Sequence, residues 1–171
     1  MKGYIQVYTG DGKGKTTAAL GLALRAAGAG LRVYIGQFIK NGDYSEIKLL
    51  RSRLPEIVLE QFGTGRFVRG VPAPKEIRLA RRGLQRLREA LCGGRYDVVI
   101  ADEANAAVKA GLFAEDDLVA LMEAKPKAVE LVLTGRGAGR KVRARADLIT
   151  EMRCTRHYFE AGVQGRPGIE S

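Results

Sequence analysis

Between an alternating apolar run, Tyr4-Ile5-Gln6-Val7-Tyr8, and an Ala/Leu-rich stretch from Thr16 to Ala27 stands the octapeptide Gly10-Asp11-Gly12-Lys13-Gly14-Lys15-Thr16-Thr17. The run before it has the period and the β-forming residues of a strand. The stretch after it is built of good helix formers and is stopped by Gly28 and Gly30. A glycine loop in this position aims successive backbone N–H groups, and the positive end of the following helix dipole, at an anion. Lys15 adds a point charge for phosphate oxygens, and the Thr16 hydroxyl is placed to ligate Mg²⁺. Glycine suits the loop because a Cβ would block close approach of the phosphates. The usual pattern is G-x-x-x-x-G-K-[ST]; here Thr9 stands in the first place and Gly10 leaves three residues before Gly14, so the loop is one residue short.

The rest of the chain alternates strand-like and helix-like segments. Residues 32–38, 57–62, 96–101 and 129–133 read as strands, and 45–53, 77–91 and 114–123 as helices. Residues 140–152 read as a short helix followed by a strand, and the Gly/Pro-bearing tail from Gly162 is irregular. The alternation predicts an α/β, three-layer fold, with a mostly parallel sheet of about six strands covered by helices on both faces. A length of 171 residues suits a single domain, 1–171, and a hydrophobic content of 46% supports an ordinary core and excludes general disorder. No apolar run approaches the roughly 20 residues that span a bilayer, and the N-terminus lacks the apolar stretch of a signal peptide. Two cysteines, Cys92 and Cys154, are too few for a disulfide framework or a structural zinc site. These features lead to the expectation of a reduced, cytoplasmic protein with no membrane partner.

The formal net charge of +10 invites a nucleic-acid partner, but its distribution is local. Residues 66–95 carry nine basic and two acidic side chains, whereas 96–135 carry three and eight. Within the basic segment Ile77, Ala80, Leu84, Leu87 and Leu91 recur at helical spacing and form one apolar stripe. Arg78, Arg81, Arg82, Arg86 and Arg88 lie off that stripe, as a solvated face or as a docking surface. A nucleic-acid module would interleave base-stacking aromatics with such cations, and this segment holds only Phe67.

Asp102-Glu103 closes a strand of the continuous, buried type. A carboxylate at such a strand end commonly reaches the metal held by the loop threonine, and acidic residues equally favour the start of a helix. Thr134-Gly135-Arg136-Gly137 follows another strand end and should face the same crevice, where Arg136 is either a forked ligand for phosphate or a surface cation at a turn. His157, the single histidine, sits beside Tyr158 and Phe159 and reads as a packing residue. No Ser/His/Asp or Cys/His arrangement is suggested.

Together these segments resemble the ATP:corrinoid adenosyltransferases of the cobalamin-adenosylating P-loop type. The resemblance rests on the short loop and its continuation through Ala19, on G-Q-F-I-K (36–40), D-V-V-I-A-D-E (97–103), L-T-G-R-G (133–137), A-D-L-I-T-E-M (146–152) and H-Y-F-E-A-G-V-Q-G-R-P-G-I-E (157–170). It implies a P-loop NTPase-like fold and transfer of the 5′-deoxyadenosyl group of ATP to the Co(I) of a reduced corrinoid, with release of triphosphate. The corrinoid is cobalamin or cobyrinic acid a,c-diamide, and the nucleotide is held reversed relative to ordinary P-loop enzymes. Carried over residue by residue, Gly10, Asp11, Gly12, Lys13, Gly14, Lys15, Thr16 and Thr17 would hold the triphosphate, with Lys13 and Lys15 offsetting its growing charge. Thr16 and Glu103 would hold Mg²⁺, so that Lys15, Lys13 and Glu103 form the catalytic set, and no residue need act as nucleophile or general base.

Relatives often carry an aromatic pair in a stretch like G-F-T-W, which packs beside the corrin. The matching stretch here is Gly65-Arg66-Phe67-Val68, leaving Phe67 as its aromatic. Some members have an N-terminal arm over the site; nine residues precede Gly10 here, which implies a corrinoid site that is more open or is covered by other elements. The resemblance further implies a homodimer, corrinoid precursors that carry carboxylates until amidated, and an acidic flavoprotein as electron donor, and the arginine face could steer either of these acidic partners. The rival reading is a P-loop NTPase or kinase that transfers the γ-phosphoryl group, for which no lid segment or acceptor site is visible.

Overall fold

The computed structural model describes residues 2–66, 68 and 70–170. Six strands, β1 (Ile5–Thr9), β2 (Val33–Ile39), β3 (Ile57–Gly63), β4 (Val98–Asp102), β5 (Glu130–Thr134) and β6 (Leu148–Glu151), form one sheet. Their spatial order is β3-β2-β4-β5-β1-β6, and each pairing is parallel. The helices are α1 (Lys15–Gly28), α2 (Ser45–Arg53), α3 (Pro74–Cys92), α4 (Ala104–Lys109), α5 (Glu115–Glu123) and α6 (Arg140–Arg145), with a 3-10 turn at Tyr158–Ala161.

Successive strand residues point to opposite faces, so continuous apolar strands bury both. In β4, Val98 and Ile100 pack with Ala19, Ala23 and Ala26 of α1 and Ile47 and Leu50 of α2. Val99 and Ala101 face the other way, into the layer holding Leu87 and Leu91 of α3 and Leu118 and Met122 of α5. The three-layer arrangement expected from the sequence is therefore present. The arginine-rich helix buries Ala80, Leu87 and Leu91 and half-buries Ile77 and Leu84, as its stripe requires. It begins with Pro74 in the first turn, and the Glu76 carboxylate accepts the Ala73 N–H at 2.8 Å. Gly83 sets how closely it approaches the sheet, since a Cβ there would lie 2.7 Å from the Phe38 ring and 2.8 Å from that of Phe62.

Two local features depart from the expected pattern. The fourth strand covers 98–102 rather than 96–101, and Asp97 just before it is bonded to the residue that precedes β2: its carboxylate accepts the Arg32 N–H at 2.8 Å. Helix α4 was not expected, since six residues are too few to display a helical period. It starts immediately after Glu103, whose backbone is left-handed at φ 58°.

Candidate active site

Because the sheet is parallel, the carboxyl ends of all six strands open on one edge, where ligands gather in folds of this kind. The Gly10–Thr17 loop leaves β1 at this edge and wraps against the exit of β6. Gly12 N–H donates to the Met152 carbonyl at 2.7 Å, and Met152 N–H donates to the Thr9 carbonyl at 2.9 Å. Gly10 lies at φ 94°, and a Cβ on it would fall 2.3 Å from the Met152 carbonyl oxygen; one on Gly12 would fall 2.8 Å from the same atom. The glycines thus answer to the β6 exit as well as to any ligand, which phosphate approach alone does not reveal.

Lys15 lies beneath the loop, 7% exposed, and its ammonium donates to the carbonyls of Gly10 at 2.8 Å and Gly12 at 2.6 Å. Burial and the nearby Arg136 charge lower its pKa. Lys13 points the other way. It donates to Ile169 O at 2.8 Å and to the Tyr158 hydroxyl and Glu170 Oε1 at 3.1 Å, tying the loop to the C-terminal tail. Asp11 and Thr17 are exposed.

At the centre of the edge Asp102, 1% exposed, is the hub of a polar rung. Register explains it: Gln61 of β3 pairs with Gln37 of β2, Gln37 pairs with Asp102 of β4, and Thr134 of β5 stands next in line. The Gln61 amide donates to Gln37 Oε1 at 2.9 Å, and that of Gln37 to Asp102 Oδ2 at 2.9 Å. Thr134 donates to Oδ1 at 2.6 Å from the other side. Across the gap to the loop, Thr16 Oγ1 donates to Oδ1 at 2.9 Å, and the Lys40 ammonium lies 3.1 Å from Oδ2. Burial alone would push the Asp102 carboxyl up; the Lys40 charge and the bonds from Thr134 and Gln37 outweigh it and hold the group below its ordinary value.

Glu103 is a different environment one residue on. Its N–H donates to Thr134 Oγ1 at 2.9 Å, whereas its carboxylate accepts no hydrogen bond among the described residues. Burial, and next the Asp102 charge, raise its pKa, while Lys40, Lys15 and Arg136 oppose the rise. The Thr16 hydroxyl is therefore bonded to Asp102, with Glu103 beside it. Arg136 is exposed in the loop after β5, close enough for its charge to act on both Lys15 and Glu103.

Phe67 lies outside the described residues, although its neighbours Gly65 and Val68 leave β3 at the same edge of the sheet. His157 is half-buried; its Nδ1 accepts the Phe159 N–H at 3.1 Å and its ring packs on Tyr158, a structural role like the one expected from sequence. Asn105 in α4 is buried with neither side-chain polar atom paired. Sequence reading passed over Asn105, Gln37, Gln61 and Lys40. For the two glutamines a signal existed, since a polar residue amid a buried strand demands partners.

The oxygens of Thr16, Asp102 and Glu103 suit a hard divalent cation such as Mg²⁺. Among the described residues no cluster of three or more His, Cys, Asp or Glu could hold a metal alone, so oxygens of a bound polyphosphate would complete the set. Asp102 already has four partners, Thr16 and the Lys40 ammonium among them, whereas Glu103 has open lone pairs.

A parallel α/β sheet whose first strand runs through a short glycine-lysine loop into a helix defines a P-loop domain. Over residues 1–171 the chain matches the family described as ATP:corrinoid adenosyltransferase BtuR/CobO/CobP, and it belongs to that family. It is 32% identical to the corrinoid adenosyltransferase of Pseudomonas aeruginosa, across 99% of this chain and 84% of that protein. It is 34% identical to the corrinoid adenosyltransferase of Escherichia coli K12 and to that of Salmonella typhimurium, named CobA, in each case across 99% of this chain and 86% of the relative. No helix among the described residues is long and apolar enough to cross a membrane.

Proposed function

We propose that this protein transfers the 5′-deoxyadenosyl group of ATP to the Co(I) of a reduced corrinoid, cobalamin or cobyrinic acid a,c-diamide, in the making or salvage of adenosylcobalamin. The cobalt electron pair attacks the ribose 5′ carbon, the C5′–O bond breaks, and triphosphate departs with the bonding pair. Cobalt rises formally from Co(I) to Co(III). The observation that carries the reading is the full-length family match, joined to a loop built for a polyphosphate.

Since the nucleophile belongs to the corrinoid, the protein contributes position and charge. Backbone N–H groups from Gly10 to Thr17 cradle the triphosphate, and Lys15, already beneath the loop, balances the charge gained as the C5′–O bond breaks. Lys13 joins it after exchanging Glu170 for phosphate oxygens. Arg136 completes the positive rim. Thr16 and Glu103 would hold Mg²⁺, with Asp102 beside them, and the ion would neutralise part of the triphosphate charge. Phe67 is the aromatic that this reading assigns to the corrin. A kinase reading is not favoured by the named relatives.

The arginine face supports the remaining partners. Arg78, Arg81, Arg82 and Arg88 are exposed without an ion pair among the described residues, whereas Arg86 is committed to Glu60 at 2.7 Å and Glu89 at 2.8 Å. The free four steer an acidic electron donor of the flavoprotein type. Reversing three of them should weaken the salt dependence of adenosylation with that donor; an unchanged dependence removes the steering role. Two free, exposed cysteines fit a reducing cytoplasm, and a homodimer is the assembly that accords with this reading.

Incubation with MgATP and chemically reduced cobalamin tests the activity itself. The expected result is the absorbance change of alkylcobalamin formation together with triphosphate. Orthophosphate without a cobalt–carbon product overturns the assignment.

A further inference from the structure

Lys40 has no place in the scheme above, yet the fold goes to some length to aim it. Ile39, a β-branched residue, is left-handed at φ 65°, a conformation that is strained for such a side chain. A tight turn follows, in which Lys40 N–H donates to the Phe38 carbonyl at 2.6 Å. The strand beside it holds the turn in place: Gly65 N–H donates to Ile39 O at 3.1 Å, and Gly63 passes so close that a Cβ would lie 2.0 Å from that same oxygen. The outcome is an ammonium 3.0 Å from Thr16 Oγ1 and 3.1 Å from Asp102 Oδ2, on a side chain 26% exposed.

Those two oxygens lie in the donor set that a divalent cation would use. Mg²⁺ sits roughly 2.1 Å from its ligands and demands near-octahedral geometry. An ammonium hydrogen-bonded to the same hydroxyl and carboxylate would then lie only a few ångströms from a dication, in a half-buried site where like charges repel strongly. We propose that Lys40 is an internal counter-ion that competes with the divalent cation for Thr16 and Asp102. It releases them when a polyphosphate offers its ammonium other oxygens, so that metal and triphosphate enter together. The proposal rests on the reading of Gly10–Thr17 as a triphosphate cradle. It assigns Lys40 as a positioning residue that acts through Thr16 and Asp102.

The test is binding of Mn²⁺ to the full chain without nucleotide or corrinoid, read as loss of the free-ion paramagnetic resonance signal. The wild-type protein should bind weakly and Lys40→Arg, which keeps the charge, equally weakly. Lys40→Met should bind about tenfold more tightly, since removing one cation from a half-buried site relieves an interaction of this order. The gain should vanish in Lys40→Met/Asp102→Asn. If Lys40→Met does not fold, Lys40→Gln keeps an N–H donor for Asp102 without the charge and should show the same tightening. Mn²⁺ affinity in the neutral variant that is equal to or weaker than wild type overturns the proposal. Because no ATP or corrinoid is present, this outcome is independent of whether adenosyl transfer occurs.

Discussion

Two carboxylates grip the glycine loop from opposite sides. Asp102 takes Thr16 from within, and Glu170 takes Lys13 from without. Each is a hub. Asp102 also receives Gln37, Thr134 and Lys40; Glu170 also receives Tyr158 and Arg166. The difference lies in where the partners come from and in the medium. Two of those of Asp102, Gln37 and Thr134, arrive on separate strands locked in register around a carboxylate at 1% exposure, so that part of the hub cannot dissolve without disturbing the sheet. Those of Glu170, apart from Lys13, belong to its own tail and stand in water, where ion pairs add little and are screened. Similar bonding therefore anchors Thr16 against the sheet edge and holds Lys13 only until a stronger anion arrives.

Substitution separates the two sides. Lys15→Ala removes the charge that meets the leaving group and should lower adenosylation by at least about a hundredfold, on the scale of losing one preorganised electrostatic contact. Its denaturation midpoint should move less than that of the next variant. Asp102→Asn leaves Lys40 facing a neutral amide inside the sheet edge and should destabilise the fold by about 3 kcal/mol in chemical denaturation. Gly10→Ala forces a Cβ at positive φ into the Met152 carbonyl and should cost about 2 kcal/mol, measured the same way, even with no nucleotide present. At the small end, Glu170→Gln should leave the denaturation midpoint nearly unchanged and lower the KM for ATP, because Lys13 is freed for phosphate. A large loss of stability in Glu170→Gln would erase the contrast between the hubs.

Acid extends the comparison. Asp102 and Glu60 are held below the ordinary carboxylate range, Asp102 by Lys40 and its hydrogen bonds against the cost of burial, Glu60 chiefly by its bond from Arg86. A depressed carboxyl contributes stability that is present above its unfolded value, near 4, and lost as pH falls through its folded value. Glu103, raised by burial, works in the reverse sense: its contribution is present at low pH and lost as pH rises through the raised value. Unfolding free energy should therefore drop steeply below about pH 4, and Asp102→Asn should flatten that acid limb. An acid limb with the same slope in the variant would mean that Asp102 is not the titrating group.

Much of this was legible in the chain. The alternation of Val98 to Ala101 between two cores, the stripe of α3 and the strand–loop–helix passage at Gly10 are local patterns, and periodicity exposes them. What stayed hidden depends on register between distant strands. Nothing near Gln37 says that Asp102 and Gln61 flank it, and nothing near Met152 says that its carbonyl excludes a side chain at Gly10. Lys13 and Lys15 look equivalent as letters two apart; a helix N-terminus turns one under the loop and the other toward the tail. Asp102 and Glu103 were likewise one acidic pair until β4 ended between them.

Adenosyl transfer breaks the C5′–O bond of ATP and not a phosphorus–oxygen bond. A single turnover with ATP carrying ¹³C at C5′, chemically reduced cobalamin and Mg²⁺, followed by ³¹P and ¹³C resonance, reads it directly. Adenosyl transfer gives inorganic triphosphate and a ¹³C signal bonded to cobalt in equal amounts. ADP with orthophosphate, and a ¹³C5′ still attached to oxygen, would contradict it.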